Sequence, residues 1–217
     1  MKTMGLADLR LIAPRQHPAP EARAMAAAAR DVLETAIVHA TLAEAIEDCV
    51  AAFAMSARPR ERSPQVLAVR DAASAALARA AHGAVAFVFG NEAAGLTNEE
   101  MFACQFLVHI PAASAYSSLN LAQAVQVTAY ELRLAAGEGS VPLERREKLA
   151  TVRDLEALYR HLEEAGIASG FLDPEDPKRL RERWRGLFSR VALEREEINI
   201  VRGLLSALMK KGAADNS

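Results

Sequence analysis

The sequence has few cysteines, few aromatic residues and no long apolar run. Its 217 residues include two cysteines, and aromatic side chains make up 5% of the total. Cys49 and Cys104 stand alone in apolar stretches, which predicts buried, reduced thiols and no disulfide framework. No stretch is long and apolar enough to span a bilayer, and no secretory signal follows Met1. We therefore expect a cytoplasmic protein that has no membrane partner.

Metal-ligand spacing and a strong net charge are also lacking. The five histidines lie far apart, which predicts that the protein binds no metal. The formal net charge of -2 argues against nonspecific binding to polyanions, although basic residues can still cluster locally. The hydrophobic content is 51%, and the length suits one α/β domain with a smaller unit attached.

Short apolar runs alternate with helical stretches through the first two thirds of the chain. Runs such as 49–55, 84–89 and 106–110 predict strands, and their nearly continuous apolar character is typical of strands covered on both faces. The stretch 64–81 predicts one long helix. This alternation predicts an α/β fold whose parallel sheet is covered by helices.

A change in composition divides the chain. Residues 138–150 predict a linker between an α/β domain over 1–137 and a helical extension over 151–217. In the extension, apolar residues recur at helical spacing on three faces, which predicts a small bundle. The three faces consist of Leu155, Leu158, Tyr159 and Leu162; of Leu180, Trp184, Leu187 and Phe188; and of Ile198, Val201, Leu204, Leu205 and Leu208.

Two loops follow apolar strands and lead into helices. Residues 89–100 read FGNEAAGLTNEE, and residues 110–125 read IPAASAYSSLNLAQAV. The carboxyl ends of parallel strands share one edge of a sheet, where ligands bind in open α/β folds, so we expect the loops to meet there. Gly90 and Gly95 are typical of a plain tight turn, and Ser117 or Ser118 of an ordinary helix cap. The combination of the two loops is what indicates a functional site.

The two loops together resemble the signature motifs of the SpoU/TrmH-type branch of the SPOUT RNA methyltransferases. The resemblance extends to MSAR at 55–58 and to NIVRGLL at 199–205, and it is closest to the TrmJ family of tRNA 2′-O-methyltransferases. That family methylates the ribose of nucleotide 32 in the anticodon loop. The resemblance implies a C-terminal trefoil knot in the α/β domain, a homodimer, S-adenosylmethionine as methyl donor and tRNA as substrate. Knots are otherwise rare exceptions to the rules of chain connection.

The resemblance, combined with the chemistry of the reaction, suggests roles for individual residues. Ser118 is expected to orient the substrate phosphate or hydroxyl, and Glu92 to anchor the polar network of the site. The expected cofactor contacts come from three loops: Met55, Ser56, Ala57, Gly90, Ile110, Ser117, Ser118 and Leu119. RNA contacts are expected at three arginines beside that site, Arg58, Arg60 and Arg62. The basic run over 178–190 is equally well explained as a solvated helix face.

One motif of the family has no counterpart in this sequence. It carries an Asn and a catalytic Arg and would precede residues 1–6. We expect a start codon placed too late rather than a truncated protein, and this form should bind cofactor weakly or fold poorly. Arg23 lies after the following strand, in the wrong order, and is expected to be a solvated helix residue. Two alternatives stay open: a catalytically silent RNA-binding or dimerisation protein, and a 2′-O-methyltransferase of ribosomal RNA. The helical extension argues against the second.

Overall fold

The structure is a computed structural model that describes residues 1–57, 64–113, 118–137, 149–175 and 180–215. The strands are β1 (Arg10–Ile12), β2 (Ile37–His39), β3 (Ala51–Met55), β4 (Gln65–Ala68), β5 (Val85–Val88) and β6 (Phe106–His109). The helices are α1 (Pro20–Ala26), α2 (Arg30–Glu34), α3 (Leu42–Ile46), α4 (Val69–Ala80), α5 (Asn98–Ala103), α6 (Leu121–Ala136), α7 (Val152–Ala168), α8 (Leu180–Phe188) and α9 (Arg195–Asp215).

All strand pairs are parallel. The larger sheet has the order β4-β6-β3-β5, and β1 pairs with β2 in a separate sheet. β3 is the most deeply buried strand, and the ring of Phe53 stacks on Phe87 and Phe106 with centroid distances of 4.8 and 4.7 Å. Helices α3 and α5 pack on one face of the larger sheet, and α4 and α6 on the other. The predicted α/β class, with a parallel sheet covered by helices, is confirmed.

Residues 64–81 do not form the single helix that the sequence predicts. β4 occupies the beginning of this stretch and pairs with β6, with Gln65 opposite Phe106 and Ala68 opposite His109. The helix α4 begins only at Val69. The prediction was wrong because a four-residue strand is stabilised by a partner some forty residues away, which local propensity does not reveal.

The helical extension is hydrogen-bonded to the α/β domain. The backbone N–H of Val152 donates to the carbonyl of Cys49 at 2.8 Å, and that of Arg153 donates to the carbonyl of Glu47 at 3.2 Å. Such first-turn N–H groups have no partner inside their own helix. The Arg153 guanidinium also forms an ion pair with the Glu47 carboxylate. The start of α7 is therefore fixed to the turn between α3 and β3.

The apolar faces of the extension are only partly buried. Leu155, Leu158 and Ile198 form its core, against which Trp184 and Phe188 pack. The predicted packing of the three faces was wrong for three of their residues, Leu187, Leu204 and Leu208, which are exposed. α9 packs on α7 with one side, so an apolar residue on its opposite side stays in solvent.

A cavity of about 550 Å³ lies beside β5. Its lining includes Val85 and Phe87 from that strand, Met4 and Leu6 from the N-terminal segment, and Leu132 from α6. Within the described ranges β5 pairs with β3 alone and so forms one edge of the larger sheet. In the part of the chain that the structure describes, no helix is long and apolar enough to cross a membrane.

Candidate active site

The loops that follow β3, β5 and β6 meet around one cavity of about 140 Å³. These strands are parallel neighbours, so their carboxyl ends lie at the same edge of the sheet. The lining residues are Met55, Ser56, Ala57, Phe89, Gly90, Asn91, Glu92, Ile110, Ser118, Leu119, Leu121 and Ala124. The two loops that the sequence singled out thus contribute to a single site.

The structure brings together every predicted cofactor-binding or catalytic residue that it describes. These residues are Met55, Ser56, Ala57, Gly90, Glu92, Ile110, Ser118 and Leu119. Ser117 and the predicted RNA-binding residues Arg58, Arg60 and Arg62 lie outside the described residues. The placement shows a shared cavity, while the individual roles stay predictions.

A tight turn shapes the loop after β5. The backbone N–H of Gly95 donates to the carbonyl of Asn91 at 2.9 Å, and Gly95 has a φ of +70°. At Gly90 a side chain would have no room, because a Cβ built there would lie 2.1 Å from the Gly95 carbonyl carbon and 2.4 Å from the Leu96 nitrogen. Gly90 therefore permits the two ends of the turn to close on each other.

Glu92 connects this turn to the beginning of α6. Its Oε1 accepts a hydrogen bond from Nδ2 of Asn120 at 2.8 Å and a longer one from the backbone N–H of Leu121 at 3.4 Å. A carboxylate at a helix N-terminus is favoured by the helix dipole. The link fixes the loop after β5 against the loop after β6.

Asn120 both caps α6 and contacts Glu92. The structure makes it the N-cap of α6, and its Oδ1 accepts from the backbone N–H of Ala122 at 3.0 Å. The expectation that Ser118 could cap this helix was wrong, because the helix begins at Leu121. The signal was present, since an Asn directly before a helical apolar run is typical of an N-cap. The Ser118 side chain does not cap α6, and it lines the cavity.

The cavity is lined by both apolar and polar residues. Met55, Ile110 and Leu119 contribute apolar surface, while Glu92 and Ser118 contribute polar groups. The backbone N–H of Ser56 donates to the carbonyl of Val108 at 2.9 Å, which joins the end of β3 to β6. This lining suits a ligand that has both an apolar and a polar part. Within the described residues, no group of three or more His, Cys, Asp or Glu side chains is arranged to hold a metal ion.

Part of the basic run over 178–190 is used in ion pairs. Arg181 Nε donates to Glu163 at 2.9 Å, and Arg185 Nη2 donates to Glu156 at 2.7 Å. The Arg185 guanidinium also lies 4.9 Å from the centroid of the Tyr159 ring. These two arginines hold α8 against α7, which favours the structural explanation for them.

Comparison with known proteins gives two matches that together span most of the chain. Residues 1–130 match the family described as "SpoU rRNA Methylase family". Together with the parallel fold and its ligand cavity, this match defines a methylase of the SpoU class. Residues 153–217 match "tRNA methyltransferase TrmJ, C-terminal domain". The chain belongs to the TrmJ family.

Individual relatives agree with this assignment. The "tRNA (cytidine/uridine/adenosine-2'-O-)-methyltransferase TrmJ" of Pseudomonas aeruginosa is 44% identical, covering 97% of this chain and 86% of that protein. The "tRNA (cytidine/uridine-2'-O-)-methyltransferase TrmJ" of Klebsiella pneumoniae is 43% identical, covering 96% of this chain and 87% of that protein. The crystal structure of TrmJ from Z. mobilis ZM4 superposes with a TM-score of 0.81 at 34% identity, covering 96% of this chain and 89% of that one.

Proposed function

We propose that this protein transfers a methyl group from S-adenosylmethionine to the ribose 2′-hydroxyl of nucleotide 32 in the anticodon loop of tRNA. One observation carries the proposal: the three loops that resemble the family's cofactor loops converge on one cavity at the edge of the sheet. The relatives are named as tRNA 2′-O-methyltransferases and align over nearly the whole chain. Their names share cytidine and uridine, which we propose as the target bases.

The residues of the cavity fit the methyl donor. Met55, Ile110 and Leu119 offer apolar surface for the adenine, and Gly90 lines the same cavity without a side chain. The negative charge of Glu92 favours a cationic ligand. When bound, S-adenosylmethionine supplies a methyl group that is already activated by a positively charged sulfur.

The protein's part in the reaction is to position the ribose and to assist the loss of its proton. A ribose 2′-hydroxyl is a weak nucleophile, so orientation and proton transfer are the contributions that accelerate the reaction. The Ser118 hydroxyl lines the cavity two residues before the N-cap of α6, where it would orient the hydroxyl or its neighbouring phosphate. Glu92 and Asn120 would hold the two loops in register around it.

The RNA would be engaged locally rather than by overall charge. The net charge of -2 gives no general attraction for phosphates, so contacts require a basic cluster close to the site. Arg58, Arg60 and Arg62 directly follow Ala57, which lines the cavity. We assign phosphate binding to these three residues.

The proposal includes the architecture that the family resemblance implies. It comprises a trefoil knot in the α/β domain, a homodimer, a cytoplasmic location, and division of the chain into 1–137, a linker at 138–150 and an extension over 151–217. The separate matches at 1–130 and 153–217 support this division. The extension supports tRNA rather than ribosomal RNA as substrate.

The test is methyl transfer by the purified protein from tritium-labelled S-adenosylmethionine. The substrates are tRNA transcripts with cytidine or uridine at position 32, the same transcripts already 2′-O-methylated there, and ribosomal RNA. Because the sequence has no counterpart of the family's first motif, we expect slow labelling of the unmodified tRNA and no labelling of the premethylated control. Label confined to ribosomal RNA would favour the ribosomal alternative. Binding of cofactor and tRNA without transfer would instead identify a silent protein.

A further inference from the structure

Two cavities of the structure share a wall, and Phe89 is part of it. This residue lines both the site cavity of about 140 Å³ and the larger cavity of about 550 Å³ beside β5. Phe89 directly follows β5, and the alternation of side chains along a strand places it on the same face as Phe87. That face of the sheet is the one covered by α4 and α6. Phe89 therefore stands where the two cavities meet.

Helix α6 runs along both cavities. Its residues Leu121 and Ala124 line the site cavity, whereas Val125 and Thr128 line the larger one. The boundary between the two cavities thus crosses α6 between the adjacent residues Ala124 and Val125. The site and the larger cavity are neighbours along one helix.

A buried contact crosses the same boundary. Thr128 is 2% exposed, and its hydroxyl donates to the Ala124 carbonyl at 2.9 Å. The same hydroxyl oxygen lies 4.0 Å from the sulfur of Met55, which lines the site cavity. At this point the wall consists of Met55, which lines the site cavity, and Thr128, which lines the larger one.

The sizes of the two cavities give the wall a consequence. Pockets that hold small molecules usually measure about 300–1,000 Å³, so the site cavity is small and the larger cavity lies within that range. The turn at Gly90 cannot widen the site, because its backbone is closed against that of Gly95 and Leu96. Removing the ring of Phe89 would instead leave this turn intact and open the site toward the larger cavity.

We propose that Phe89 determines which analogues of the methyl donor the site accepts, because it closes the site off from the larger cavity. The inference rests on the proposed function, in which Met55 offers apolar surface for the adenine. Since Thr128 lies behind Met55, the adenine end of the donor faces the boundary. An apolar group attached to the adenine collides with the wall in the parent. Without the Phe89 ring, that group enters the larger cavity.

Binding of two nucleosides to the full chain tests this role. The probes are S-adenosylhomocysteine and a derivative that carries a benzyl group on the adenine amino nitrogen, and isothermal titration at millimolar nucleoside gives both dissociation constants. The parent should bind the benzyl derivative at least tenfold more weakly, because a steric clash discriminates against the larger ligand. Phe89→Ala should bring the two constants within threefold of each other or reverse their order. An unchanged ratio in Phe89→Ala would overturn the proposal.

The ratio of the two constants separates a wall from a purely structural role. A variant that merely destabilises the fold would weaken the binding of both nucleosides equally and keep the ratio. Phe89→Leu retains an apolar side chain, so it serves as a second variant if Phe89→Ala folds poorly, and it should shift the ratio in the same direction by a smaller factor. A folded Phe89→Leu protein with the parent's ratio would then overturn the proposal.

Leu132→Ala is the matched control. Leu132 lines the larger cavity about two turns of α6 beyond Ala124, so this change enlarges the cavity away from the boundary. It should leave the ratio at the parent's value. A shift as large as that of Phe89→Ala would show that the size of the larger cavity, and not the wall at Phe89, controls selection, and would overturn the proposal.

Failure of the proposed function would give a different result. A folded parent that binds neither nucleoside would overturn both the proposed function and this inference. If the parent binds S-adenosylhomocysteine and the ratio stays unchanged in both Phe89 variants, the inference alone is overturned.

Discussion

The Glu92 carboxylate accepts a hydrogen bond from the Asn120 side-chain amide at 2.8 Å across 28 residues of sequence. The same Asn120 side chain caps α6 through its other atom, so it stabilises a helix and positions a loop at once. The two functions can be separated because they use different atoms. A change that keeps the cap while opposing the link tests what the link does.

Asn120→Asp is such a change. Asp is as good an N-cap as Asn, so the stability of α6 should be kept. The new carboxylate would repel that of Glu92. Electrostatic repulsion would thus replace a hydrogen bond to a charged group, and such a bond is worth about 1.5–3 kcal/mol. We expect S-adenosylmethionine to bind at least tenfold more weakly in isothermal titration, with little change in melting temperature. Unchanged affinity would show that the link does not position the site.

Ser118→Ala should reduce turnover much more than cofactor affinity. The hydroxyl lines the cavity without capping α6, so its loss removes positioning and leaves the pocket in place. A loss of about 100-fold in single-turnover methyl transfer is expected, in the range typical of a proton-transfer or orienting group. Ser74→Ala on the surface of α4 is the matched control. Equal losses in turnover and in cofactor binding would contradict the assigned role.

Gly90→Ala should destabilise the protein and weaken cofactor binding together. The added methyl group would collide with backbone atoms of Gly95 and Leu96. Backbone atoms cannot move aside as the end of a flexible side chain can. Overpacking of this kind costs about 1–3 kcal/mol. Gly186→Ala in α8 is the control, because nothing lies within 4 Å of its Cβ and helix propensity favours alanine. Urea unfolding of both variants provides the measurement, and a Gly90→Ala protein as stable as the parent would disprove the steric argument.

Asp48→Asn should make stability less sensitive to acid. The hydrogen bond from Arg10, together with its positive charge, lowers the pKa of Asp48 below its usual value of 3.8. A carboxylate with a lowered folded-state pKa stabilises the protein above the unfolded pKa, and this contribution is lost as pH falls through the folded value. The parent should therefore lose more stability than the variant between pH 5 and about pH 2, measured by urea unfolding. Glu164→Gln should behave like the parent.

The two thiols should resist modification in the folded protein. Burial raises the pKa of both Cys49 and Cys104 to about 12, so neither is ionised near neutral pH. Since the thiolate is the reactive form, we expect no reaction with a thiol reagent at pH 8 and two reactive thiols after addition of urea. Rapid labelling of either cysteine without denaturant would show that its segment opens.

Sequence patterns predicted the apolar strands β3, β5 and β6 and missed β4, which is partly exposed. The continuous apolar runs of β3, β5 and β6 predicted these strands, because strands that are covered on both faces are apolar throughout. The sequence did not predict β4, since Gln65 and Val66 are exposed and its ladder with β6 is a tertiary contact. The two loops were placed at one edge by the parallel arrangement alone. The Asn120–Glu92 link needed coordinates, because no spacing rule relates residues on separate loops.

The helical extension shows the same division between local and long-range information. Spacing identified the core positions Leu155, Leu158 and Ile198, which are buried. It also assigned Leu204 and Leu208 to the core, because a helix with apolar residues on two sides gives one merged pattern. Which side faces α7 depends on the packing of α9, and the exposed side became visible only in three dimensions.

The backbone bonds from Val152 and Arg153 to the carbonyls of Cys49 and Glu47 have a consequence for how the protein tolerates change. This direct attachment links the orientation of the extension to that of the α/β domain. A substitution that weakens it would therefore change the distance between the two parts that a long nucleic acid could contact.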